Sequence, residues 1–307
     1  MDNGALVIPD TASTIVNMVI DGLTSAHSKR AYARALTDFM AWYRATGQTT
    51  LSKATVQRYA AELAARGLSA ANINQRLSAI RKLAREAADN GALPEPLANG
   101  IANVKGLRQE GHKTGHWLTR DAAQKLLDAP DPSTLKGLRD RAILAVLLGC
   151  GLRREELARL TFEHIRQLEG RWVIVDIIGK RNKTRSVPMP SWAKAAIDAW
   201  AEAAGILTGR VFRALNKGGR LTGDSLTAQA VRLVVESYAQ PLSLDVAPHD
   251  LRRTFAKLAY KGGAGLDQIQ LSLGHGSIQT TERYLGVTQD LTDAPCDRLG
   301  LKLENAV

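Results

Sequence analysis

Between positions 248 and 285 the chain reads PHDLRRTFAKLAYKGGAGLDQIQLSLGHGSIQTTERYL, which sets His249, Arg252, Arg253, His275 and Tyr284 at short intervals. A buried core calls for none of these side chains, and a solvated face would carry more Glu and Lys. His249 and Arg252 are three residues apart and share one helix face, while Leu251, Phe255 and Leu258 turn toward a core. Pro248 suits a first helical turn, so His249 stands at a helix N-terminus, where free N–H groups favour an anion. A histidine and an arginine at such a point make a clamp for an oxyanion or a phosphate. A tyrosine is a weak nucleophile at its ordinary pKa, so Tyr284 needs a strongly cationic pocket to act as one.

Further groups of the same kind lie upstream. Arg153 follows a helix break at Gly149 and Gly151, and Glu156, one turn on, is placed to hold its guanidinium in plane. Lys180 sits in the basic turn GKRNKTR, from which a lysine can reach a site and donate a proton. Gly274 gives His275 backbone freedom and a close approach to a ligand. Each pair alone is also what a solvated surface would show; it is their number that points to a site. The six histidines are scattered, and HExxH, GxxxxGK[ST] and GxSxG are all absent, so no metal set, ATP loop or serine hydrolase elbow competes. No cofactor is expected.

Composition bounds the setting. With 307 residues the chain has room for two domains. Lys and Arg number 41 against 30 Asp and Glu, a net charge of +11, which suggests a polyanionic partner such as nucleic acid. The two cysteines, Cys150 and Cys296, form no CxxC pair, so both read as packing residues in a reducing compartment. No basic segment followed by an apolar run opens the chain, and no apolar stretch reaches membrane-span length. The expectation is a cytoplasmic, nucleoid-associated protein with no membrane partner.

The elements that position the site are mostly helical. Residues 1–24 begin irregularly. Helical patterns follow over 25–45, 52–66 and 69–90, each opening on a Ser suited to capping. In the third, Ile73, Leu77, Ile80, Ala84 and Ala87 make an apolar stripe, and Asn74, Ser78, Arg81 and Arg85 a polar one expected to contact DNA bases and phosphates. The Gly-, Pro- and Asn-rich stretch over 90–115 reads as a connection between domains, with the linker at 101–116. Helical patterns resume at Trp117 and give way to a β-hairpin: a β-branched run over 173–178, a turn over 179–183 and a short run over 185–187. Helices then return over 190–204, 222–239, 248–261 and 266–272. The fold class is mainly α with a small β-hairpin or sheet, that is, α+β.

Taken in order, GLRREEL, GKRNKTRSVP, HDLRRTFA, LGH and TTERYL resemble the tyrosine recombinase (phage integrase) family over residues 117–288. The resemblance implies that Arg153 and Arg252 clamp the scissile phosphate and that Lys180 protonates the departing 5′-oxygen. It gives His249 and His275 proton transfer and transition-state stabilisation, and makes Tyr284 the nucleophile. Glu156 resembles the acidic residue that supports the arginines; Lys183 is expected to contact DNA, and Arg253 either to contact DNA or to support the groups that act on it. Residues 1–100 look like a helical core-binding domain and 117–289 like a catalytic domain of the DNA breaking–rejoining type. The tail over 290–307 would dock on a neighbouring protomer, with Leu299, Leu301 and Leu303 packing there. The implied activity is site-specific recombination through a 3′-phosphotyrosyl link and a Holliday junction, without ATP or metal. The implied partners are double-stranded DNA with an inverted-repeat core site and a homotetramer on two sites, one dimer per site. Integration or excision of a mobile element is the implied role, in a compact form with no arm-binding domain. The pattern departs from the family at Leu285–Gly286, where many members have a polar residue and then His, and at Arg253, where many have His. Two other readings share parts of the pattern: a type IB topoisomerase, against which the N-terminal helical domain argues, and a DNA-binding regulator that has lost cleavage.

Overall fold

A computed structural model describes residues 10–47, 50–108, 116–179 and 184–286. The chain divides into two compact units, Met1–His112 and Lys113–Val307.

In the first unit the helices are α1 (Asp10–Asp21), α2 (Ala26–Ala45), α3 (Lys53–Ala65), α4 (Ala70–Asp89) and α5 (Glu95–Ala102). The Ser residues expected as caps do cap: Ser25, Ser52 and Ser69 accept the N–H of Ser28, Thr55 and Asn72 at 3.5, 3.4 and 3.4 Å. The apolar stripe of α4, Ile73, Leu77, Ile80, Ala84 and Ala87, is buried against Leu36, Phe39, Val56 and Tyr59. Two elements were not expected. Residues 10–21 form a helix that buries Ile15 and Val19, and α5 occupies a stretch that reads as Pro- and Gly-rich. Pro94 lies at the start of α5, where a missing N–H costs nothing. Beneath that composition Ala98, Ile101 and Val104 recur at helical spacing and are buried. The first core therefore continues through Val104, past the point where the linker was expected to begin.

The second unit is mostly helical around one sheet. Its elements are α6 (Arg120–Asp128), α7 (Leu135–Cys150), α8 (Arg154–Ala158), β1 (Ile165–Leu168), β2 (Arg171–Ile178), β3 (Thr184–Pro188), α9 (Ser191–Ala204), α10 (Ala228–Ala239), α11 (Pro248–Lys261), α12 (Leu266–Leu273) and α13 (Ile278–Leu285). Helix α7 is the central rod, buried without interruption from Ala142 to Leu147, as its continuous apolar run requires. It runs through Gly149, where Trp192 packs 2.8 Å from the site of a Cβ, and ends at Gly151 rather than breaking at both glycines. Helix α10 begins at Ala228, six residues later than expected, because Thr227 caps it by accepting the Ala230 N–H at 3.1 Å.

The hairpin is present and is part of a three-stranded antiparallel sheet in the order β1-β2-β3. Glu169 and Gly170, with φ of 50° and 74°, turn β1 into β2, the double positive φ that such a two-residue connection demands. On β3, Arg185 and Val187 share the inward face.

One buried charge holds α7 to α10. Asp140 is 0% exposed and meets Arg139 at 2.7 Å, Lys136 at 2.9 Å and the Tyr238 hydroxyl at 3.1 Å. Among the described residues no helix is long and apolar enough to cross a membrane. Replacing Asp140 by Ala strands the buried Arg139 guanidinium, so the second unit should lose about 3–5 kcal/mol in a denaturant titration.

Candidate active site

Three chain turns converge on the site, and two of them start from a left-handed glycine. Gly151, with φ of 59°, ends α7, and a Cβ there would stand 2.5 Å from Phe255 Cδ1. Two residues on, Arg153 caps α8. Its N–H donates to Glu156 Oε2 at 2.8 Å and its guanidinium to Oε1 at 2.7 Å. The carboxylate is 6% exposed and has a second partner: Arg185 on β3 donates NH1 to Oε1 at 2.9 Å and NH2 to Oε2 at 2.8 Å. Burial alone would raise the pKa of Glu156; the Arg185 guanidinium, helped by Arg153, outweighs it and holds the group at about 2. Arg185 also donates Nε to Ser272 O at 2.9 Å, which ties the sheet to the end of α12.

Helix α11 supplies the next three groups. Arg252 is 1% exposed and donates to Gly151 O at 2.6 Å and to Leu273 O, so one guanidinium binds the ends of α7 and α12. Burial, with Arg153 beside it, lowers its pKa to about 10, still charged at neutral pH. His249, Arg252 and Arg153 line a cleft of about 310 Å³ together with Arg154 and Arg232. A cleft so lined suits an anion. The helix is fixed by Thr254, which accepts the Leu118 N–H at 2.9 Å and donates to Asp250 O.

The third turn places the phenol. Gly274, with φ of 62°, ends α12 beneath the Arg185 side chain, and His275 follows it directly. His275 Nδ1 shares a hydrogen bond of 3.0 Å with the buried hydroxyl of Thr281 on α13. The Tyr284 ring lies edge-on to His275 at 5.2 Å and to His249 at 5.7 Å, and the Arg253 guanidinium lies 5.2 Å from its centroid. The hydroxyl reaches His249 O at 3.5 Å. Burial lowers the pKa of both histidines, His275 to about 4, and the surrounding arginines add to the effect. Burial pushes Tyr284 up to about 12, against the pull of Arg252 and Arg253. At pH 7 the site therefore holds neutral imidazoles and a protonated phenol among fixed guanidinium groups.

Thus Arg153, Glu156, His249, Arg252, Arg253, His275 and Tyr284 come together from three helices, α8, α11 and α13, and the turns before α8 and α13. Lys180 and Lys183 lie outside the described residues, as do the 290–307 tail and Cys296. The polar stripe of α4 belongs to the first unit, and most of it is engaged in hydrogen bonds within that unit. Asn74 exchanges two hydrogen bonds with the Leu107 backbone at 2.9 and 2.8 Å, Arg81 donates to Val104 O, and Ser78 bonds the Asn74 carbonyl of its own helix. These groups fasten the chain beyond α5, for which sequence periodicity gave no sign. Arg85 is exposed, beside a groove of about 460 Å³ that also holds Lys82, Glu86 and Asp89. Arg185 and Thr281 went unnoticed. Both lie inside motifs already singled out, and the inward register of Arg185 with Val187 was the available signal.

Seven such groups on a helical scaffold with one small sheet define an anion-handling centre with a tyrosine at its middle. The profile of the phage integrase family matches residues 116–290, and that of its N-terminal SAM-like domain matches residues 18–91. A tyrosine recombinase XerC from Pelobacter propionicus is 32% identical over 273 residues, 87% of this chain and 86% of its own length. A tyrosine recombinase XerC from Xylella fastidiosa is 33% identical over 266 residues, 85% of this chain and 86% of its own. The fold is also that of the XerH site-specific recombinase solved on its difH substrate, with a TM-score of 0.67 at 20% identity, covering 92% of this chain and 82% of that one. A lambda integrase dimer on a core site gives a TM-score of 0.68 at 16% identity, over 91% of this chain and 78% of that one. The chain belongs to the phage integrase family, the tyrosine recombinases.

The Glu156 carboxylate titrates lower in the folded chain than unfolded, so its contribution to stability is complete above about pH 4.5 and is lost as pH falls toward 2. Acid unfolding of wild type and Glu156→Gln should show this: the wild type loses stability through that window, and the variant, already weaker at pH 7, loses less.

Proposed function

We propose that this chain cleaves and rejoins DNA with Tyr284 as the nucleophile. The observation that carries the reading is the phenol itself, which is packed between two neutral histidines beside the cleft formed by Arg153 and Arg252. A phosphodiester gains negative charge as its phosphorus becomes five-coordinate, and fixed cations aimed at its oxygens stabilise that state. Arg153 and Arg252 hold the nonbridging oxygens, with Glu156 fixing Arg153. Tyr284 Oη bonds to phosphorus as the bond from phosphorus to the 5′-oxygen breaks. The phenol proton passes to His249 or His275, and the 5′-oxygen takes a proton from Lys180. The 3′-phosphotyrosyl link keeps the energy of the broken bond, so reversal rejoins strands with neither ATP nor a metal.

The substrate in this reading is double-stranded DNA bearing an inverted-repeat core site, within the cytoplasm at the nucleoid. A dimer binds each site and a tetramer joins two sites through a Holliday junction, in the integration or excision of a mobile element. Residues 1–100 serve as the core-binding domain and 117–289 as the catalytic domain, and the 290–307 tail docks on the neighbouring protomer. Lys183 reaches the DNA backbone.

Covalent trapping on nicked duplexes carrying candidate sites tests the chemistry. Wild type should form a denaturation-resistant adduct in the presence of a chelator, and Tyr284→Phe should bind the same DNA and form none. An adduct with both proteins would remove Tyr284 as nucleophile; binding without an adduct in either would favour a regulator that has lost cleavage. Relaxation of supercoils lacking any site would favour a topoisomerase. With both histidines neutral and the phenol protonated, the cleavage rate of bound DNA should stay level from pH 7 to 9 and fall as pH drops toward 4, where His275 takes up a proton, read by single-turnover quenching.

A further inference from the structure

Arg253 follows Arg252 on α11, yet the two guanidinium groups do different things. Arg252 donates to two backbone carbonyls and lines the cleft. Arg253 Nε is buried with no hydrogen-bond partner, and no carboxylate among the described residues forms an ion pair with its guanidinium, whose carbon lies 5.2 Å from the Tyr284 centroid. Asp250, the acidic residue on the same turn of α11, is committed to the Ala247 N–H at 3.0 Å. A cation over a phenol ring is drawn to its face, and it is drawn further as the ring oxygen gains charge.

The ring is confined on three sides: by the edges of His249 and His275, at 78° and 77° to it, and by Arg253. We propose that Arg253 is a positioning residue for the nucleophile, holding the Tyr284 ring against the two histidines and stabilising the phenolate that attacks phosphorus. This rests on Tyr284 being the nucleophile and assigns Arg253 the supporting role over the DNA contact. The charged and titratable groups facing the phenol are His249, Asp250, Arg252 and Arg253 from α11 and His275 from the turn before α13. Of these, Arg253 is the cation that approaches the ring without serving as a backbone clamp. Its charge and a side-chain hydrogen bond to the phenol both pull the Tyr284 pKa down.

The test uses the full chain and a nicked suicide duplex on which wild type forms its adduct, with Arg253→Ala, Arg253→Gln and Arg253→Lys compared. Cleavage of bound DNA at pH 7 should fall roughly ten-fold in Arg253→Ala and Arg253→Gln, by loss of a desolvated cation–ring contact, and less in Arg253→Lys. With the phenol protonated throughout, the deficit should hold steady from about pH 7 to 9.5, while DNA affinity and its salt dependence stay within about two-fold. A deficit as large in Arg253→Lys as in Arg253→Ala would make Arg253 merely structural, and a lost phosphate contact, seen as weaker binding with a shallower salt slope and normal cleavage once bound, would make it a DNA contact; either overturns the proposal. In the DNA-free chain, the ¹³C resonances of the Tyr284 ring, assigned through Tyr284→Phe, should shift in Arg253→Ala and stay near wild type in Arg253→Lys. Unchanged resonances in Arg253→Ala would overturn the proposal even if wild type formed no adduct, the outcome that would count against the nucleophile assignment itself.

Discussion

Everything at the site is arranged around a carboxylate that a protein interior would ordinarily reject. Burying an isolated Glu costs several kcal/mol. At an effective dielectric near 20, one cation about 4 Å away returns about 4 kcal/mol, so a single partner roughly breaks even. Glu156 has two, and it accepts the Arg153 N–H besides. The second guanidinium tips the balance, which is why the group stays charged down to about pH 2 despite its burial. In return the carboxylate fixes Arg153 at the mouth of the cleft and draws β3 onto the end of α12. It also offsets part of the repulsion among the remaining cations, which an arriving phosphate would otherwise have to overcome alone.

Arg252 performs the complementary task from within the core. Its two acceptors, Gly151 O and Leu273 O, are carbonyls at the ends of α7 and α12, where helices leave acceptors without internal partners. The two left-handed glycines matter for this reason. Gly151 turns the chain toward Arg153 and Gly274 turns it toward His275, and each reversal brings a carbonyl within reach of the same guanidinium. Positioning and charge thus reside in one side chain. A lysine there would keep the charge but lose the forked geometry that spans two helix ends.

The spacing of Arg153, His249, Arg252, His275 and Tyr284 was legible because chemistry restricts residue type: few other environments assemble those groups. Helices opening on Ser25, Ser52 and Ser69 were legible because capping is local. What escaped depends on tertiary partners. Strand β1 pairs along its whole length with β2 but lies mostly exposed, so it carries no alternation to read. The polar stripe of α4 has the right composition for a DNA face, and periodicity cannot tell a side chain that meets solvent from one that meets the backbone of residues 104–107. Arg185 lies within a basic motif whose sequence gives no sign of its acceptor, because Glu156 is 29 residues away.

The titration states describe a centre at rest. Two imidazoles held neutral by burial and by neighbouring arginines can accept protons, and a phenol held near 12 gives one up only when something stabilises the anion. In the proposed reaction, a phosphodiester in the cleft adds negative charge, which raises the proton affinity of the histidines and favours transfer of the phenol proton to them. The same charge occupies Arg153 and Arg252, and it weakens the pull of Arg252 on the phenol. Arg253, which lies over the ring, is then the cation left to stabilise the phenolate. A bound phosphate in this way separates the duties of adjacent arginines: Arg252 serves the electrophile and Arg253 the nucleophile. Two consecutive positions on a helix point about 100° apart, which is what lets neighbours in sequence face opposite partners in the reaction.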